Sequence, residues 1–305
     1  MHRLTGPILV IASIVITMTG CTREEAATPV KSGRVPQATQ LTSNDEVFEA
    51  NPIYSPDGNW ILFESEASGN RDLWLIPAAG GEPRQLTTYD GFDTAPFWSP
   101  DGQRIVFESD RSGNKNLWLL QVNDPVAEPV ALTAGSWEDA DPVWSPDGAT
   151  VAFESSRDKS GGTDLYLTPA GGGPAVRLTT TGDGIYHRTA DFSPDGAMLV
   201  FESNRDGEGP ALYTLALDGG TPKRITPVAG YEGHPAWSPD GFQIAYESTT
   251  GGTMEIFAVA AGGGTPFQVT TSGGYWPRWS PGGDFIVYCV FGDPEPNIWT
   301  VEVDW

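Results

Sequence analysis

Five glutamates stand in the same local setting, an aromatic residue before and a serine after: Glu64, Glu108, Glu154, Glu202 and Glu247. Cys289 takes the sixth place in the series. Successive members lie 44, 46, 48, 45 and 42 residues apart. Carboxylates at that period do chemistry only if the fold gathers them into a ring. Packed like charges would then raise one another's pKa, and a cation or a basic peptide would relieve the repulsion. A second reading stays open beside it. A Glu in an inner strand is costly to bury unless it is bonded. Each would then accept from the neighbouring unit: a backbone N–H, a hydroxyl, or an arginine such as Arg111, Arg157 or Arg205.

Two histidines past the leader, His187 and His234, are placed by the repeat in loops on the same face as the ring. With a carboxylate, such a pair can in principle hold a metal. Two solvated loop histidines are the plainer expectation. No catalytic residue, metal or cofactor is expected, because the chain has no G-x-S-x-G step, no H-E-x-x-H and no paired-His spacing. Aromatics outside the repeat pattern are better recognition residues. Tyr89, Phe92, Trp137, Tyr186, Tyr231, Tyr275 and Trp276 fall in the joining stretches, several beside Asp or Glu. Loops on a rigid frame carry binding, and aromatics are common anchors. The candidate binding set is therefore the five glutamates, His187, His234, Tyr186, Tyr231 and Trp276.

The elements that must position these residues are read from one repeat. Residues 95–109 (APFWSPDGQRIVFES) recur in six related copies, with the Ser-Pro serine at Ser55, Ser99, Ser145, Ser193, Ser238 and Ser280. A period in the forties with several short strands is the pattern of a β-propeller. In the second copy, residues 95–99, 104–109, 117–122 and 130–133 are expected as four antiparallel strands. Pro100, Asp101 and Gly102 form the first turn: Pro presets φ, Asp bonds its own backbone, and Gly takes positive φ. The aspartates of these turns (Asp57, Asp101, Asp147, Asp195 and Asp240) form a second ring on the opposite face, which turn geometry explains. Trp98, Trp144, Trp237 and Trp279 repeat with the unit and are expected between blades. The sixth copy ends after its third strand, while residues 38–42 (ATQLT) form a fourth-strand sequence with no copy before it. The expected fold is all-β: a six-bladed β-propeller of four antiparallel strands per blade, the last closed by the N-terminal strand. Closure removes free edges.

The repeat P-x-W-S-P-D-G-x-x-I-x-F-x-S, followed by L-W/Y, G-G and L-T, resembles the propeller repeat of the TolB family. Related propellers occur in prolyl oligopeptidases and oligogalacturonate lyases. The resemblance implies a six-bladed propeller outside the cytoplasm. TolB carries an α/β domain ahead of its propeller, and no counterpart is expected in residues 21–36.

The chain has 305 residues, with 17 Lys+Arg against 40 Asp+Glu, a net charge of −23. Nucleic acid and anionic membrane surfaces would be repelled. Residues 7–18 (PILVIASIVITM) are an apolar run too short to span a bilayer, which needs ~20 residues. They read as a signal-peptide core. Met18, Thr19, Gly20 and Cys21 resemble a bacterial lipoprotein processing box, which implies cleavage before Cys21 and its acylation. The expected organisation is a lipoprotein signal peptide over 1–20, a flexible tether over 21–36 and the propeller over 37–305. The expected function is a non-enzymatic, lipid-anchored envelope propeller, secreted across the inner membrane and held as a periplasm-facing outer-membrane lipoprotein or a cell-surface lipoprotein. It would act as a monomer and bind a protein or peptide partner through its loop face. The alternative is a metal-dependent or carbohydrate-active enzyme resembling oligogalacturonate lyase propellers.

Overall fold

The computed structural model describes residues 37–43, 46–124, 127–158, 161–180, 182–227, 230–292 and 295–303. The expected signal peptide, tether and Cys21 lie outside the described residues. Those described form six four-stranded antiparallel sheets. Blade 2 shows the plan: inner strand Asp93–Trp98, second Arg104–Ser109, third Asn116–Gln121, outer Val130–Ala131. The inner strands of the other blades are Glu49–Tyr54, Asp139–Trp144, His187–Phe192, Glu232–Trp237 and Tyr275–Trp279. In blade 6 the strand Ala38–Gln40 pairs with Pro296–Glu302, Ala38 opposite Val301. The ring is thus closed by the N-terminal strand, as the truncated last repeat predicts.

Alternation along the second strand builds the core. Ile105 and Phe107 pack against Leu62, Leu73 and Leu75 of blade 1, while Val106 packs against Trp144, Val151 and Phe153 of blade 3. One such apolar cluster fills each of the six blade interfaces. Phe63, Phe107, Phe153 and Phe201 are fully buried. Truncating any one would cost about 3–5 kcal/mol. In every copy the aromatic residue points back to the preceding blade, so the Glu after it points forward to the next. The repeated tryptophans lie in these interfaces, and Trp279 donates from Nε1 to the carbonyl of Ala236 across one of them.

Candidate functional site at the channel mouth

Each inner strand shifts register near its start, as between Ala50 and Ile53 or between Gly233 and Ala236. One residue per blade absorbs the shift with a left-handed backbone: Asn51, Ala95, Asp141, Thr189, His234 and Trp276, at φ between 45° and 52°. That conformation costs a non-glycine residue roughly 1–2 kcal/mol. These six residues line a small space in the central channel, its waist, of about 30 Å³. His187, His234, Tyr275 and Trp276 therefore stand in inner strands and not in joining loops, which corrects the placement expected from sequence.

Two of the glutamates reach forward to hold this distortion. Glu108 Oε1 accepts the Asp141 N–H at 2.7 Å, and Glu247 Oε2 accepts the Trp276 N–H at 2.9 Å. Glu202 Oε2 accepts the Tyr231 hydroxyl at 3.3 Å. In the sixth place Cys289, fully buried, donates from Sγ to the Glu49 carbonyl of the next blade at 3.6 Å, and its thiol pKa is pushed up by burial. Glu64 departs from the pattern and accepts from the Asn51 side chain of its own blade. The arginines expected to serve the ring do not. Arg111 and Arg157 pair with Asp93 and Asp139 at 2.8 Å, at the start of the inner strands. Arg205 stacks on Tyr213, 5.6 Å from its ring centre. Among the described residues Lys115 reaches the ring, 3.0 Å from Glu108, while Arg188 attracts Glu154 and Glu202 and Arg71 attracts Glu64.

The ring is electrostatically strained. Burial pushes Glu64 and Glu202 up to about 7, against an ordinary 4.5. Glu108 and Glu154 are also raised, by burial first and then by Asp141. Buried oxygens of Glu64 and Glu154 (Oε2 in each) have no hydrogen-bond partner among the described residues. Glu247 alone is held low. Burial opposes this, but His234 lies beside it, Nδ1 to Oε1 at 2.8 Å. His234 is raised in turn, because Glu247, Asp141 and Glu202 outweigh its own burial. Trp276 donates from Nε1 to His234 Nε2 at 3.1 Å, so the neutral ring carries its proton on Nδ1. Tyr275, Trp276 and Phe291 form an aromatic cluster beside this pair, with Phe291 46% exposed.

The structure thus brings the glutamates, His234, Tyr231 and Trp276 together. It does not bring in His187, which is fully buried between Phe201, at 5.2 Å and edge-on, and Asp164. Tyr186 does reach the glutamates: its ring stacks under the guanidinium of Arg188 at 4.1 Å, and burial, with Glu202 beside its hydroxyl, raises its pKa. Tyr89 and Trp137 are shelves for Arg111 and Arg157, each 5.0 Å away. Sequence reading missed Asp141, Asn51, Thr189 and Lys115. The signal for the first three was available: aligning the six copies gives one column of unlike residues, most of them before proline, inside an otherwise regular strand. Among the described residues, no three His, Cys, Asp or Glu side chains converge closely enough to hold a metal ion.

The chain matches the family described as TolB beta propeller domain over residues 30–138 and 186–304. Residues 89–208 also match the dipeptidyl peptidase IV N-terminal region. A curated relative, the uncharacterized protein Atu1656 of Agrobacterium fabrum, is 33% identical over 82 residues, 26% of this chain and 28% of that protein. The fold is similar to TolB from Acinetobacter baumannii, with TM-score 0.68, 22% identity, and coverage of 76% of this chain and 57% of that one. It is similar to putative TolB from Agrobacterium tumefaciens, with TM-score 0.67, 23% identity, and coverage of 84% and 90%. An oligogalacturonate lyase solved in complex with manganese shares the fold at TM-score 0.61 and 16% identity, over 90% and 96% of the two chains. At these identities the solved structures speak to the fold alone.

Proposed function

The chain belongs to the TolB β-propeller family, and from that premise we propose that it is a non-enzymatic binding propeller of the cell envelope. It takes a protein or peptide partner at the mouth ringed by Glu64, Glu108, Glu154, Glu202 and Glu247, and the contact is a cationic group of that partner. A monomer tethered through an acylated Cys21 completes the proposal. The observation that carries it is the strain of the ring: four buried glutamates, Glu64, Glu108, Glu154 and Glu202, have raised pKa, and Asp141 adds its like charge to the first three. A lysine, arginine or amino terminus entering there lowers those values and fills the open acceptors. Tyr231 and the aromatic cluster at Trp276 would grip the chain that carries the charge.

The test uses extended peptides bearing one central lysine, each paired with its acetyl-lysine twin and read by fluorescence anisotropy. The expected result is binding of the lysine form, weakened about 10-fold or more by Asp141→Asn and weakened again by salt. Equal binding of the acetylated twin would contradict the proposal.

A further inference from the structure

Beyond the waist the channel opens on the opposite face, where the Ser-Pro-Asp-Gly turns lie, into a second cavity of about 250 Å³. Turn prolines and blade tryptophans, such as Pro56, Pro146 and Trp144, make its wall apolar. Two positions after the left-handed residue, the inner strands carry a column of residues that, apart from Val143, line the second cavity. In four blades this residue is Ile53, Phe97, Val143 or Ala236; in the other two it is Asp191 and Arg278. Asp191 and Arg278 both line the second cavity, and Arg278 lines the waist as well.

Neither charge is fully engaged. Arg278 Nη1 donates to the Pro235 carbonyl at 3.0 Å, and the guanidinium lies 5.7 Å from the Phe97 ring centre. Asp191 Oδ2 accepts the Trp237 N–H at 2.7 Å, and the carboxylate also takes the Phe192 N–H. The two side chains attract each other electrostatically. Among the described residues they form no direct ion pair. A guanidinium has five donors and a carboxylate about four acceptor sites, so each keeps capacity in hand. A simple carboxylate entering the cavity would meet Arg278 but also the like charge of Asp191. A simple ammonium would meet the reverse. The complement of an unjoined opposite pair in an apolar cavity is a small molecule carrying both charges close together on an apolar body.

We propose that this cavity binds a free α-amino acid with an apolar side chain, carboxylate on Arg278, ammonium on Asp191 and side chain against the proline and tryptophan wall. The site is separate from the carboxylate ring and takes a ligand of different chemistry, so the two proposals stand or fall independently.

The experiment is isothermal titration of the full chain with L-leucine, N-acetyl-L-leucine and L-leucinamide. L-Leucine is expected to bind, and each capped form is expected to bind about 10-fold or more weakly, one charge contact being lost. Arg278→Gln should erase the preference for leucine over leucinamide. Asp191→Asn, which can still accept the Trp237 N–H, should erase the preference for leucine over N-acetyl-leucine. The comparison of the three ligands on the unmodified chain decides the matter even if a variant folds poorly. No heat with L-leucine up to about 10 mM, a ceiling that corresponds to negligible affinity, would overturn the proposal. So would equal binding of either capped form, or preferences unchanged in both variants.

Discussion

Two sets of carboxylates sit at opposite ends of the second strands, repeated by the same sequence unit, and apart from Glu247 their surroundings push them in opposite directions. In the Ser-Pro-Asp-Gly turns, Asp101 accepts the Ser99 hydroxyl at 2.5 Å and the Gln103 N–H at 3.0 Å. Asp57, Asp147 and Asp195 repeat that geometry. These bonds hold all four below the usual aspartate value. Their partners lie within two residues and the groups face water, so each turn satisfies itself. The glutamates depend on partners more than ten residues away or in the next blade, apart from the Lys115 partner of Glu108, and burial dominates: Glu64 and Glu202 stand at about 7. Periodicity therefore does not mark function. The ring whose partners are local is a turn device. The ring that is left under-satisfied is the place where a ligand can contribute.

The contrast can be broken or sharpened by substitution. The largest effect is expected outside both rings. Asp93 is fully buried and takes both its 2.8 Å bonds from Arg111, so Asp93→Ala should cost about 3–5 kcal/mol in urea denaturation by stranding the cation. Glu108→Gln, which Arg111 does not serve, should cost far less. Equal losses would mean that Arg111 supports the ring after all.

Next comes pH. The folded pKa of Glu64, about 7, lies above its ordinary 4.5, so the native state holds that proton more tightly. Stability is greatest below about 4.5 and falls as pH rises to about 7, by on the order of 3 kcal/mol for this one group. Glu64→Gln should flatten that fall when melting temperature is followed from pH 4 to 8. The turn aspartates run the other way. Their folded values lie below 3.8, so their contribution is present above that pH and disappears only as pH drops through the folded value. An unchanged slope in Glu64→Gln would remove the basis for calling the ring strained.

A smaller effect follows from the packing at Gly233. A Cβ there would lie 2.6 Å from Glu202 Oε2 and collide with the Tyr231 hydroxyl. Gly233→Ala should cost about 2 kcal/mol and weaken the peptide binding proposed for the mouth. Smallest is Ser99→Ala in the other ring. Ser99 is buried and its hydroxyl accepts the Arg104 N–H at 2.9 Å. Its loss should cost about 1 kcal/mol and leave peptide binding unchanged. A loss of peptide binding would show that the two ends of the second strands are coupled.

The frame of the molecule was legible because it repeats. Period, turn chemistry and the orphan strand at residues 38–42 led to six blades and their closure, which the sheet pairing reproduces. The forward direction of the glutamates also follows from strand alternation. What periodicity conceals is any residue whose meaning lies in a cross-blade contact. His234 reads as a loop histidine until Trp276, 42 residues on, is seen to donate to it. His187, similar in sequence setting, goes to the core because it opens an inner strand one blade earlier. Arg111 and Arg157 looked available to the ring, but their reach ends on Asp93 and Asp139, which are nearer along their own blades. Asp191 and Arg278 are charges in a column filled elsewhere by Ile53, Phe97, Val143 and Ala236, and only the closed ring sets them around one cavity.

The most direct test of the account is a pH titration of the side-chain carboxyl carbons by NMR, on protein labelled at glutamate and aspartate and assigned with Gln and Asn variants. The account predicts that Glu64 and Glu202 titrate near 7 while Asp57 and Asp101 titrate below 3.8. If the ring glutamates titrate at the ordinary 4.5 alongside exposed carboxylates, the ring is not strained, and the case for a cationic partner at the channel mouth fails.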